Sequence, residues 1–221
     1  MILALELSGP CSSIALGTEK EIFEKDFSGE RGKALLAEID ALIQHTKVKR
    51  SAIRGVLVGR GPGSYTGLRI GCTAARILSL ALNIPVGGIG SFPAAVFDAP
   101  EDIELHLVQN AYRGEICHAA YRKTKAGIAE ITKPHLLASQ DLKGILPAKS
   151  LVIGDPQLTP RGTRHLSNTI IPQAKNLIRV AMGLGVKLSG EGLQGLEEPS
   201  PLYLRAAAFK ASQKNDDAST K

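Results

Sequence analysis

Gly59-Arg60-Gly61-Pro62-Gly63-Ser64-Tyr65-Thr66-Gly67-Leu68-Arg69-Ile70-Gly71 places five glycines and a proline between an apolar strand and a long apolar helix. Upstream, Gly55-Val56-Leu57-Val58 reads as a buried strand, and residues 68–82 read as a helix, so the loop stands where a sheet edge meets a helix N-terminus. Such turns suit anions, because glycine allows close backbone approach while free amides and the helix dipole favour negative charge. Gly61, Gly63 and Ser64 are the candidates for a phosphate or nucleotide cradle. The charge such a cradle uses is missing, since Gly67 is followed by Leu68 and Arg69 where a Walker loop has Lys and then Ser or Thr. The dinucleotide fingerprint fits poorly too, with Ser64 at its last glycine position and no acid about 20 residues on. Spacing alone therefore favours a structural turn, with Ser64 or Thr66 capping the helix.

Outward from this loop, apolar runs and the turn residues between them predict strands over 2–7, 12–18 and 21–27, a helix over 31–46, a strand over 53–59, the helix to 82 and a short strand near Val86. Three strands, helix, strand, helix, strand is the order of an actin-like or RNase H-like lobe, an α/β fold. The second half repeats part of it, with strands over 103–109 and 115–121, others near Ile128 and over 151–153, and a helix over 173–188. The expected boundary lies near Phe97-Asp98-Ala99-Pro100, giving an N-terminal lobe of residues 1–98 and a smaller lobe of 99–205. Residues 206–221 turn polar and are expected to be a disordered tail.

The 221 residues are 43% hydrophobic and 4% aromatic with no Trp, so the core must come from Leu, Ile, Val and Ala, as suits packed α/β layers. Cys11, Cys72 and Cys117 have no Cys-x-x-Cys spacing, which argues against a disulfide framework or zinc ribbon and suits a reducing cytoplasm. The N-terminus lacks a basic region and meets Glu6, unlike a secretory signal, and Arg69, Arg76 and Pro85 interrupt the apolar stretch 68–86, unlike a membrane span. A formal charge of +6 suits an acidic partner such as RNA. Yet the basic clusters at 47–50, 122–125 and 161–165 carry no interleaved aromatics, so solvated loops are the favoured reading.

Catalytic constellations are sparse. His45, His106, His118, His135 and His165 never recur at helical spacing, so each reads as a surface or satisfied histidine, and no metal ligands are assigned. Cys11 and Ser64 are the candidate nucleophiles, but neither has a motif-placed base, and Gly63 to Gly67 is one residue too long for a nucleophile elbow. No catalytic residue is assigned. The helix over 68–82 is apolar nearly all round, with Leu68, Cys72, Ala75, Ser79 and Leu82 on one line and Ile70, Ala74, Ile77 and Ala81 on another. The helix over 31–46 shows the same excess, with Leu35, Ile39 and Leu42 beside Leu36 and Ile43. Either the two form a face for a partner, or they are an internal pair under the second lobe; sequence weighs these evenly.

The full run from Gly59 to Gly71 resembles the signature of the TsaB (YeaZ) family, part of the bacterial machinery that attaches threonylcarbamoyl to an adenosine in tRNA. Ile2-Leu3-Ala4-Leu5-Glu6-Leu7-Ser8, Asn110-Ala111-Tyr112-Arg113-Gly114-Glu115 and Tyr203-Leu204-Arg205 are similar as well, so the resemblance spans most of the chain. It implies an actin-like fold with a reduced second lobe, and a noncatalytic subunit that pairs through its first two helices. That pairing would be with a second copy or with a catalytic TsaD-type subunit. It tips the helix question toward an interface at Leu35, Ile39, Leu68, Gly71, Cys72, Ala75 and Arg76. It further implies a TsaE-type ATPase partner, indirect contact with tRNA, and ATP, threonine and bicarbonate consumed by the pathway rather than by this chain. Whether a nucleotide sits at the subunit interface is left open. The chain departs from the family in Glu6-Leu7-Ser8 for Asp-Thr-Ser, in Asn110 for Asp, and in Glu30-Arg31-Gly32-Lys33, which lacks a histidine. Catalytic relatives carry a His-x-x-x-His pair that is absent here. These changes remove ligands a hard cation needs and weigh against the rival reading, an independent ATP-binding phosphotransferase.

Overall fold

Strands with both faces covered read as continuous apolar runs, and Ile2–Glu6 (β1), Ser12–Gly17 (β2) and Gly55–Gly59 (β4) are buried along their whole length. The computed structural model describes residues 1–147, 149–186, 193 and 196–205. The expected tail at 206–221 lies outside the described residues. With Ile22–Phe27 (β3) and Val86–Ile89 (β5) the first sheet runs β3-β2-β1-β4-β5. Its first three strands are antiparallel, and β4 and β5 run parallel to β1.

Two helices supply the crossovers that parallel strands require, α1 (Arg31–Thr46) before β4 and α2 (Tyr65–Leu82) before β5. They cover one face, where Leu3, Leu5, Ile14, Leu16, Val56 and Val58 meet Leu35, Ile39 and Leu42 of α1 and Cys72 and Ala75 of α2. The opposite face, with Ile2, Ala4, Ala15 and Leu57, packs on Ala174, Leu177, Ile178 and Ala181 of a helix from the far end of the chain, α5 (Ala174–Gly183). The first sheet's core therefore draws on residues from both sides of position 98.

The second sheet comprises β6 (Glu104–Tyr112), β7 (Glu115–Thr124), β8 (Gly127–Ala138), β9 (Leu151–Gly154) and β10 (Arg164–Ser167), in the order β10-β9-β6-β7-β8. Its three antiparallel strands followed by two parallel ones repeat the topology of the first sheet. The reduction is in the helices. Where the first sheet has α1 with 16 residues, the second has α4 (Leu142–Ile145) with 4, and where the first has α2 with 18, the second has a 3-residue 3₁₀ turn, Pro156–Leu158. Between the sheets, α3 (Ser91–Val96) sets Phe92 and Val96 against Leu105, Leu107, Cys117 and Ala119, and Ala94 against the cluster around α5.

Most expected elements are present with shifted ends. α2 starts at Tyr65 rather than 68, because Ser64 accepts from the Gly67 amide and starts the helix inside the glycine run. β4 starts at Gly55 because residues 50–52 form a 3₁₀ turn. α5 stops at Gly183, where Gly185 takes a left-handed φ of 76° and ends the helix, short of the expected 188.

Candidate functional site

The glycine run is a packing device before it is anything else. A Cβ at Gly59 would collide with the carboxylate of Glu6, and one at Gly67 with the carbonyl of Leu7, so the start of α2 and the end of β4 lie directly against the end of β1. Glu6 is fully buried. Its Oε1 accepts from the Ser8 amide at 2.7 Å and its Oε2 from the Ser91 hydroxyl at 2.8 Å, while Ser91 Oγ accepts from the Gly61 amide at 3.0 Å. Burial raises the Glu6 pKa, and these donors together with the Arg31 charge oppose the rise. Glu6 thus ties three segments together from inside and does not open onto solvent as a cation ligand would.

The three cradle candidates are engaged in the same way. The Gly61 amide donates to Ser91 Oγ and its carbonyl accepts from the Ser91 amide, and the Ser64 amide donates to Ser8 O at 2.8 Å. Ser64 Oγ serves the Gly67 amide and Arg31 Nη1, so Ser64 is a cap and an anchor, and nothing in these contacts places a general base beside it. Arg31, unassigned by motif, completes the arrangement by donating to Gly9 O at 2.6 Å and Pro10 O at 3.2 Å. One guanidinium at the start of α1 thereby locks the β1–β2 hairpin to the start of α2.

Beside these residues a cleft of about 1210 Å³ opens between the two sheets, bounded by Ser8, Arg31 and Gly63 on one side and Asn110, Arg113 and Asp155 on the other. Its mouth carries Tyr65 stacked on Tyr203 with ring centroids 5.1 Å apart. Asn110 Oδ1 accepts from the Tyr112 amide at 2.7 Å and so serves its own turn. Arg60 fixes the C-terminal segment, donating from Nε to Ser200 O at 2.8 Å and pairing with Glu197.

A model of the TsaD family, tRNA N6-adenosine threonylcarbamoyltransferase, matches residues 28–191. The chain belongs to the TsaD family, within its TsaB/YeaZ group. Bacillus subtilis TsaB, a tRNA threonylcarbamoyladenosine biosynthesis protein, is 26% identical over 137 residues, 60% of this chain and 59% of that protein. Haemophilus influenzae TsaB is 31% identical over 111 residues, 49% of this chain and 46% of its own length. The chain thus spans about half the length of these two curated relatives. Escherichia coli TsaB is 25% identical over 92% of this chain and 94% of that protein. Among solved structures, YeaZ from Pseudomonas aeruginosa superposes with a TM-score of 0.76 at 21% identity, covering 92% of this chain and 99% of that one, which bears on the fold alone.

Against this family background, the expected TsaB-like interface needs correction. Leu35, Ile39, Leu68, Gly71, Cys72 and Ala75 are all buried in the chain's own core, under α1 and α2, and present nothing to a partner. Only Arg76 of that set is exposed. The sheet takes one line of each helix, and the apolar residues left over lie outward: Leu36 is 62% exposed, Ile77 59% and Leu80 82%. Three histidines read as unrelated are brought together by β6, β7 and β8. His106 Nδ1 lies 3.1 Å from His118 Nε2, and the His135 ring meets His118 edge-on. Spacing along the chain held no signal for this cluster, because its members are adjacent only across strands. Among the described residues, no helix is long and apolar enough to cross a membrane.

Proposed function

We propose that this chain is a noncatalytic, TsaB-like subunit that supports threonylcarbamoyl transfer to tRNA adenosine by pairing with a TsaD-type catalytic subunit through the outer faces of α1 and α2. The observation that carries this reading is the outward apolar set of Leu36, Ile77 and Leu80 on two adjacent helices, since three large side chains this exposed mark a surface made to be covered. The same face would pair two copies when the partner is absent, and a TsaE-type ATPase would join the assembly. The role is scaffolding or allosteric. Glu6 is sealed inside the fold and Asn110 serves its own turn, which supports a subunit that leaves ATP and metal chemistry to its partners.

The decisive experiment is threonylcarbamoyl-adenosine formation on tRNA with TsaC-, TsaD- and TsaE-type partners, with and without this chain. Dependence on the chain supports the subunit reading, and equal yield without it refutes that reading. The 1210 Å³ cleft favours one rival, an actin-like ATPase acting alone. Sustained phosphate release by the isolated chain with Mg²⁺ and ATP would establish that rival instead.

A further inference from the structure

The helix α1 begins without a cap. Glu30 occupies the capping position but its side chain makes no capping bond, and its carboxylate pairs instead with Lys33 Nζ at 2.5 Å. The amides of Lys33 and Ala34 donate to Glu30 O at 2.9 and 3.0 Å. Those of Arg31 and Gly32, in the first turn, have no acceptor within the helix.

A cavity of about 470 Å³ opens at this end, lined among others by Ser12, Phe27, Arg31, Lys33, Thr66 and Ile70. Ser12 is 1% exposed, and its Oγ has no hydrogen-bond partner among the described residues. Alternation along β2 explains where it points. The neighbouring Ser13 lies on the α5 face, where its Oγ accepts from the Ala174 amide at 2.8 Å, so Ser12 lies on the α1 face with the cavity. A buried hydroxyl with nothing to bond is a cost that a ligand can remove. The surrounding field is positive, from the helix dipole and the fixed Arg31 guanidinium. The opposing charge, Glu30, is exposed and neutralised by Lys33.

We propose that this cavity is an oxyanion site, in which the Ser12 hydroxyl and the Arg31 and Gly32 amides donate to a phosphate or carboxylate group. It adjoins the interlobe cleft, with Pro10, Arg31 and Thr66 on the wall between them, and does not depend on the subunit reading. The test is amide NMR of the full chain titrated with inorganic phosphate, and separately with acetate, against chloride at matched ionic strength. Saturable shifts centred on Arg31 and Gly32 are expected, and which anion produces them assigns a phosphate or a carboxylate ligand. Ser12→Ala should weaken the effective anion about tenfold, the loss of one hydrogen bond to a charged group. Its melting temperature should be unchanged or higher, because the unpaired hydroxyl is gone. Ser12→Thr, which keeps the hydroxyl, should retain binding. The proposal is overturned if neither anion gives saturable shifts at these amides, or if Ser12→Ala binds as well as the wild type.

Discussion

Acidification should destabilise this fold through the buried pair His106 and His118, and the structure sets the size of the effect. His118 is 1% exposed, its Nδ1 has no partner among the described residues, and its Nε2 lies 3.1 Å from His106 Nδ1. His106 Nε2 in turn lies 3.5 Å from Glu104. A neutral imidazole carries one N–H, and the arrangement that buries no orphan donor has His118 Nε2–H donating to His106 Nδ1, with His106 Nε2–H facing Glu104. Protonating His118 would then bury an N–H with no acceptor. Burial first, and the neighbouring His106 and His135 second, lower its pKa from 6.5 to about 4. Burial lowers His106 as well, against the pull of Glu104. Because the folded chain resists a proton that the unfolded chain accepts, stability is lost as pH falls below 6.5 and the loss levels off near 4. Each pH unit in that window removes about 1.4 kcal/mol, so His118 alone accounts for about 3 kcal/mol by pH 4. Urea unfolding of the wild type and of His118→Leu at pH 7 and pH 4.5 measures this. The variant should lose about 1 kcal/mol at neutral pH for the broken hydrogen bond, yet fall off less steeply in acid. Identical pH dependence in the two proteins would refute the reasoning.

Other outcomes follow from burial and exposure. Leu80→Asp should abolish pairing through α2, seen by size-exclusion with light scattering, while shifting stability by no more than about 0.5 kcal/mol, since Leu80 is 82% exposed. Ala75→Trp should instead destabilise the monomer by about 1–3 kcal/mol or more in denaturant unfolding, because Ala75 has no exposed surface and sits against the sheet. Glu6→Ala should cost about 1–3 kcal/mol in the same assay, by leaving the Ser8 amide and Ser91 hydroxyl without their acceptor. Gly59→Ala should yield little folded protein, as its methyl group would overlap the Glu6 carboxylate.

What the sequence determined by itself was the local part of the fold. The short apolar runs of β1 and β2 between turn residues, the helical run of α1 and the glycines between β4 and α2 act over a few residues, and the α/β order they imply is the order in the structure. The family likeness was legible for a related reason: Gly59 is demanded by the Glu6 carboxylate and Gly67 by the Leu7 carbonyl, so the run tolerates little variation. Tertiary structure alone decided which faces were free. Periodicity left the role of Leu35, Leu68 and Ala75 open, because an all-apolar helix has no marked inner side; the family likeness set them at an interface, and only the sheet beneath chose which line to bury. It also decided the partners of Glu6, Ser91 and Arg31, which stand up to 85 residues apart and meet only where three loops converge. The histidine cluster belongs to the same class, because the register between strands, and not spacing along the chain, sets His118 opposite His135 and diagonal to His106.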